Sequence, residues 1–503
     1  MTKRIHLISN AHIDPVWQWE WEEGAAAALS TFRTAADFCE EYGDYVFNHN
    51  EALLYQWVEE YEPELFARIQ KLVRAGNWHI MGGWYLQPDC NMPSGESFMR
   101  QISVGKAYFQ EKFGISPTTA VNFDSFGHSR GLVQILTKNG FDSYIHTRPG
   151  PDRLSLPGSV YEWVGYDGSS VAAFRADCYG NGYGQLEGRL RRLIAEFPED
   201  DFTLLLWGMG DHGGGASRPD LEAIARLRKE FPQIELLQST PEAYFRELKT
   251  SGKSLPRHCG DLNPWAPGCY TTQIRIKQKY RQLESWYFMT EKMAAAAYSQ
   301  NLIPDVGKEL EEALHDLLLA QFHDYLTGTS VQSAEEMGIR ILDHGLELCS
   351  RIRARAFFAR KGAVFSASFA IKKHCRQLFA RLQFLRAGCK IEDMGLHGLY
   401  NHRPRPEGKK AWPKKACGWF SLPQVFDEMG NALPSQAEQE ESHIPIDWRK
   451  RVVFHAALAP MQMNRFNCKF TLVRGGRPIA PLRREADCLI FETPRLRVAA
   501  SPD

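Results

Sequence analysis

Four clusters of residues in this 503-residue chain carry types and spacings that suit catalysis. The first is Asn10-Ala11-His12-Ile13-Asp14-Pro15-Val16-Trp17, at the end of an apolar run. In extended backbone, residues two apart face the same way, so His12 and Asp14 project together. An imidazole nitrogen beside a carboxylate oxygen is a common pair of zinc ligands, although H-x-D alone also arises by chance. Trp17 and Trp19 follow on a strand-to-helix turn, as a hydrophobic staple under the next helix or as a flat platform against a sugar face. The second cluster is Asn122-Phe123-Asp124-Ser125-Phe126-Gly127-His128-Ser129. An apolar run delivers Asp124 to a strand end, where an Asp can cap a helix, attack as a nucleophile or ligate a metal.

The third cluster runs from Leu204 to Gly215. Gly208, Gly210 and Gly213 satisfy G-x-G-x-x-G, the dinucleotide fingerprint, which asks for an acidic residue about twenty positions on. The next strand, Ile234-Glu235-Leu236-Leu237, ends in Gln238-Ser239 instead, and the loop itself holds Asp211 and His212. A loop exposing an Asp beside backbone N–H groups suits a proton donor better. The fourth cluster is Gln321-Phe322-His323-Asp324-Tyr325-Leu326-Thr327-Gly328-Thr329-Ser330, closing a helix. There His323 and Asp324 either cap the end, which favours a protonated His, or join a metal site.

The elements that must position these clusters are legible in outline. Ile5 to Ile8, Tyr45 to Phe47, Trp78 to Met81, Thr119 to Phe123, Asp142 to His146, Val171 to Phe174, Leu204 to Trp207 and Ile234 to Leu237 read as strands. Helical patterns such as Ala52 to Ala75 and Glu96 to Phe113 lie between several of them. Such alternation predicts a parallel sheet covered by helices, open or closed into a barrel, with its chemistry at the carboxyl ends of the strands. Thr272 to Ser299, Gly307 to Asp324 and Val331 to Phe358 carry helical periodicity, enough for an antiparallel three-helix unit. Residues 361–424 hold thirteen Lys or Arg against three Asp or Glu, with no sustained period. They read as a basic insertion or linker, or as a stretch never selected, such as the product of a local frameshift. Beyond them Val452 to Phe454, Cys468 to Leu472 and Leu496 to Ala499 look like antiparallel strands of a β-domain that has barely begun.

Composition narrows the function classes. The 60 basic and 60 acidic residues cancel, which disfavours general binding to nucleic acid or an anionic membrane. Aromatics make up 12% of the chain, pointing to a folded enzyme or a sugar binder. The 11 cysteines form no C-x-x-C pair, as expected of reduced thiols in a cytoplasm. The first residues lack the apolar core of a secretory signal, and no stretch of about 18 apolar residues could span a bilayer. A soluble cytoplasmic protein is expected.

Taken in order, H-x-D-P-x-W, F-D-x-F-G-H-S and H-D-x-x-T-G-T resemble the α-mannosidases of glycoside hydrolase family 38, in their bacterial cytoplasmic branch. Trp84-Tyr85-Leu86-Gln87-Pro88-Asp89-Cys90-Asn91-Met92-Pro93-Ser94-Gly95-Glu96 and Gly268-Cys269-Tyr270-Thr271 are similar to it as well. The likeness covers residues 1 to about 358 and resumes near 424. It implies one zinc ion on His12, Asp14, Asp124 and His323; cobalt or manganese would also suit that N,O donor set. By the same resemblance Asp124 doubles as nucleophile and Asp211 is the general acid. Trp17 stacks under a mannose with Phe126 beside it, Asp324 grips sugar hydroxyls, and Arg148 lies near the carboxylates. The expected reaction is retaining hydrolysis of α-mannosides through a covalent glycosyl-enzyme.

The expected fold is α/β: a seven-stranded barrel of parallel type over 1–262, then a three-helix domain over 263–360 that completes the site. The aberrant segment 361–424 and an incomplete β-sandwich over 425–503 follow. A mannoside or mannose-containing glycan is the expected partner, with no nucleic acid and no membrane, and self-association into a homo-oligomer stays open. Two departures from the family stand out: Ser125 replaces the usual Pro, and Phe174-Arg175-Ala176-Asp177 lacks the His-Arg-x-Pro pattern. Competing readings are a catalytically impaired truncated paralogue and a zinc-dependent carbohydrate deacetylase using metal-activated water.

Overall fold

The structure is a computed structural model. It describes residues 3–197 and 201–359, and beyond them 366–367, 378–383, 419–438, 451–456, 464–474, 482–485, 488–493 and 496–500. The chain forms two compact units, Met1–Ala359 and Arg360–Asp503.

In the first unit ten strands build two five-stranded sheets. The strands are β1 (Lys3–Ser9), β2 (Phe47–His49), β3 (Trp78–Ile80), β4 (Thr119–Asn122), β5 (Ser143–His146), β6 (Val160–Val164), β7 (Ser170–Arg175), β8 (Phe202–Trp207), β9 (Ile234–Gln238) and β10 (Arg257–His258). One sheet runs β3-β2-β1-β8, with β9 also paired to β1, all parallel. The other runs β10-β6-β7-β5-β4, and only its β6–β7 pair is antiparallel. The strands expected to form a seven-stranded barrel pair as two sheets, and a backbone bond from Gly82 N–H to the Thr119 carbonyl, 3.1 Å, joins their β3 and β4 edges. The added strands are β6 and β10. The β6–β7 hairpin turns at Tyr166-Asp167-Gly168-Ser169, an Asp-Gly turn of the kind that signals a hairpin.

Residues on both sides of β1, β4, β5 and β8 are largely buried, which is why β8 reads as an unbroken apolar run. On β8, Leu204 and Leu206 point inward to meet Ile8, Val121, Ile145 and Phe174, while Leu205 and Trp207 join the outer core beneath the helices. Tyr244, Phe245 and Leu248 of a helix pack into that inner core, away from the strands' carboxyl ends.

Helices α1 (Trp21–Glu41), α2 (Ala52–Tyr61), α3 (Pro63–Ala75), α4 (Gly95–Phe113), α5 (Leu132–Lys138), α6 (Leu186–Ala195), α7 (Arg218–Glu230) and α8 (Pro241–Thr250) cover the sheets. The single helix expected over 52–75 is two, because Pro63 cannot continue α2 and starts α3. Ser94, Ser217 and Thr240 cap α4, α7 and α8, each side-chain oxygen accepting a backbone N–H of the first turn.

Helices α9 (Ile274–Tyr298), α10 (Gly307–Leu319), α11 (His323–Leu326) and α12 (Gln332–Phe358) complete the unit, with α9 and α10 both packed on α12. Asp316 on α10 is half-buried against His344, at 2.7 Å, and burial pushes its carboxyl up to about 6. A carboxyl held above its unfolded value of about 3.9 adds stability that is present at pH 4 and lost as pH rises through 6. Asp316→Asn is accordingly expected to raise stability at pH 7.5 by about 1–2 kcal/mol and to change it little at pH 4, read by urea melts at both values.

In the second unit Trp419–Phe426 pairs antiparallel with Asn467–Arg474, Arg451–Ala456 lies antiparallel between Leu378–Gln383 and Ser435–Glu438, and Cys488–Thr493 pairs with Leu496–Ala500. Val425, Val452, Phe454 and Ala456 form its small core. Most of the segment 361–424, read from sequence as aberrant, lies outside the described residues. No helix among the described residues is long and apolar enough to cross a membrane.

Candidate active site

The carboxyl ends of the parallel strands converge on one buried polar cluster. β1 runs into Asn10 to Asp14, β4 into Asp124, β5 into Arg148 and β8 into Asp211, while His323 and Asp324 enter from α11. The β1 and β8 backbones pass so closely that a Cβ on Gly208 would lie 2.0 Å from the Asn10 carbonyl, and Gly208 has φ +119. The glycine loop then folds back, Met209 and Gly215 exchanging two backbone hydrogen bonds of 2.8 and 3.0 Å. Those amides are consumed within the loop, so the G-x-G-x-x-G spacing serves a close turn and offers no phosphate cradle from them.

His12 Nε2 lies 2.9 Å from Asp14 Oδ1, and His323 Nε2 lies 3.5 Å from the same oxygen and 3.7 Å from Asp124 Oδ2. Ligand atoms of His12, Asp14 and His323 all fall within 4.8 Å of one another. His12, Asp14 and His323 are no more than 2% exposed, and Asp124 is 7% exposed. Among the described residues, His12 Nε2, Asp14 Oδ1, Asp124 Oδ1 and His323 Nε2 all lack a hydrogen-bond partner. Their close approaches are ionic contacts without hydrogen-bond direction. Three buried, converging donors of type N,N,O on His12, Asp14 and His323, with Asp124 Oδ2 3.7 Å from His323 Nε2, are what a divalent cation such as zinc would satisfy. The residues fit the group.

Burial pulls the His12 imidazole down, but the Asp14 carboxylate more than offsets it and holds the ring at about 10; His323 stands at about 9 for the same opposed reasons. Burial pushes the Asp124 and Asp324 carboxyls up, against Arg148 for the first and His323 for the second. Arg148 Nη2 reaches Asp124 Oδ1 at 2.6 Å and Nη1 donates to the Asp124 carbonyl at 3.1 Å. The guanidinium lies over Phe126, 4.8 Å from the ring centre, and over Trp265, at 5.3 Å. Two aromatic faces thus hold a cation against one carboxylate.

Asp324 Oδ2 is 3.9 Å from His323 Nε2, and its Oδ1 accepts from the Thr329 hydroxyl. Phe126 lies 6.3 Å from the His323 ring. Trp17 is half-buried, edge-on to Trp19 at 5.6 Å, and its carbonyl accepts from Val331 N–H. Asp211 adopts a left-handed φ of +63; its carbonyl accepts from Asp14 N–H at 2.9 Å and its Oδ1 from the Tyr179 hydroxyl at 2.7 Å. Burial, then the charges of Asp124 and Asp211, raise the Tyr179 phenol, so its hydroxyl stays protonated where it donates to Asp211.

His128, in the same motif as Asp124, is placed away from the cluster. Its Nε2 donates to the Arg148 carbonyl at 3.0 Å, its Nδ1 meets Tyr144, and burial holds it down at about 3, neutral. Beside it, a Cβ on Gly127 would strike Asn263 Oδ1 at 1.9 Å, and φ is +119. Ser125 donates to the Pro88 carbonyl at 2.8 Å, a bond that fixes the turn after Asp124.

Sequence reasoning assigned no role to Tyr179, Trp265, Glu51 or Gln87. The Asp89-flanked run around Gln87 was the available clue, yet residue types alone do not tell which backbone it touches.

Residues 2–267 match the family model described as glycosyl hydrolases family 38 N-terminal domain, and residues 265–359 match the alpha mannosidase middle domain. The chain belongs to glycosyl hydrolase family 38. Among its relatives, alpha-mannosidase G of Dictyostelium discoideum is 30% identical over 362 residues, covering 69% of this chain and 32% of the relative. Human alpha-mannosidase 2C1 is 29% identical, covering 70% and 35%. The chain thus spans about a third of the length of these curated relatives. A crystal structure of an alpha-mannosidase from Enterococcus faecalis matches 97% of this chain and 59% of its own, with TM-score 0.66 and 17% identity, a likeness of fold.

Proposed function

We propose that the chain is a zinc-dependent retaining α-mannosidase. The observation that carries this reading is the set of three buried, converging ligand atoms on His12, Asp14 and His323, beside the Asp124 carboxylate that Arg148 holds in place. A zinc ion on these four would supply fixed positive charge for two vicinal sugar hydroxyls and would favour ionised carboxylates nearby.

The chain's own groups do the bond-making. Asp124 attacks the anomeric carbon and forms an ester bond as the glycosidic C–O bond breaks, while Asp211 gives its proton to the leaving oxygen. Asp211, now a carboxylate, takes a proton from water, whose oxygen attacks the same carbon and frees Asp124. Arg148 aims the Asp124 carboxylate, and the Tyr179 hydroxyl fixes Asp211 Oδ1. Trp17 and Phe126 offer faces to the ring, and Asp324 accepts its hydroxyls. The domain limits 1–262, 263–360, 361–424 and 425–503 are proposed with this reading, as is a cytoplasmic setting.

The test is proton NMR of an aryl α-mannoside digest, with and without chelator. First-formed α-mannose that disappears on metal removal is the expected outcome; first-formed β-mannose overturns the retaining mechanism. A folded, zinc-binding protein silent on the substrate supports the impaired paralogue instead. Acetate release from an acetylated sugar supports the deacetylase.

A further inference from the structure

The geometry points to Gln87, pinned by Glu51, as the residue that positions three of the four candidate ligands. Gln87 is fully buried in the segment between β3 and α4. Its Oε1 accepts from Phe123 N–H at 2.7 Å, fixing the backbone just before Asp124. Its Nε2 lies 3.1 Å from His12 Nδ1, and its carbonyl is 3.0 Å from His323 Nδ1. A carbonyl can only accept, so His323 Nδ1 carries a proton, and a cation would take Nε2 in place of the second proton. Gln87 thus touches the far nitrogen of both imidazoles: its carbonyl is the acceptor that orients His323 for ligation through Nε2, while its amide nitrogen faces His12 Nδ1.

Glu51 holds this hub. Its Oε1 accepts from Gln87 N–H at 2.8 Å, and it is completely buried with a left-handed φ of +71. Few non-glycine residues adopt that backbone, and it persists only where the surroundings enforce it.

The chemistry at Gln87 makes a directional prediction. A histidine that ligates through Nε2 needs an acceptor at Nδ1. With Oε1 committed to Phe123, the Gln87 amide turns its NH₂ toward His12, so it offers one acceptor where two N–H groups require one each. A carboxylate there accepts from both. This inference rests on the cation reading under Proposed function.

The test measures zinc affinity of the full chain by competition with a chromophoric chelator, alongside the visible absorption of the cobalt(II) form. Gln87→Met, of similar length, is expected to weaken zinc by about 10–100-fold and to change the cobalt bands. Gln87→Glu is expected to bind at least as tightly as the parent. Binding by Gln87→Met within twofold of the parent, with an unchanged cobalt spectrum, overturns the inference. Should Gln87→Met fail to fold, Gln87→Glu decides: tenfold weaker zinc binding at an unchanged melting temperature overturns it. A parent that binds no zinc overturns the cation reading itself, and this inference with it.

Discussion

Asp124→Asn is expected to cut turnover of an aryl α-mannoside by roughly 10⁴-fold while leaving the fold intact. Two roles fall together on that carboxylate. In the proposed mechanism it is the nucleophile, and its Oδ2 lies 3.7 Å from His323 Nε2, beside the candidate cation site. The amide is close in size and still offers an oxygen to Arg148, so the melting temperature should move little. It is a poor nucleophile, however, and the ester intermediate cannot form. Steady-state kinetics with a circular dichroism melt checks this. A variant that keeps more than a tenth of parental turnover would remove Asp124 from the chemistry.

His323→Ala should have an effect of similar size by another route. Losing a supporting partner costs a metal site about 10–100-fold in affinity, and losing a ligand should cost more than the upper end of that range. Zinc at a thousand times its Kd stabilises a fold by about 4 kcal/mol. Chelator should therefore lower the parent's melting temperature by several degrees and leave that of His323→Ala unchanged. Equal response of the two proteins to chelator would dissociate His323 from the ion.

Much of this arrangement was legible before any coordinates, for identifiable reasons. β8 could be read because Leu204 to Trp207 is apolar on both faces, and its carboxyl end led directly to Asp211. His12 and Asp14 could be paired because extended backbone repeats every two residues. That His323 meets them had no basis in spacing, and it was expected only through the resemblance to family 38. The strand Val160–Val164 was missed because the alternation of strand and helix breaks there, although Asp167-Gly168 marked the hairpin. Gln87 and Glu51 were missed for a deeper reason. They act through a peptide carbonyl, a peptide N–H and an unusual φ, none of which residue type reports.

The ligand set also imposes an order in time. His12, Asp14 and Asp124 leave the ribosome early, as part of the α/β sheets, but the second imidazole lies beyond α10. A growing polypeptide holds three quarters of a chelate through most of the synthesis of this unit. On the cation reading proposed above, tight capture of an ion would wait until α11 has emerged and docked, late in the synthesis of this unit.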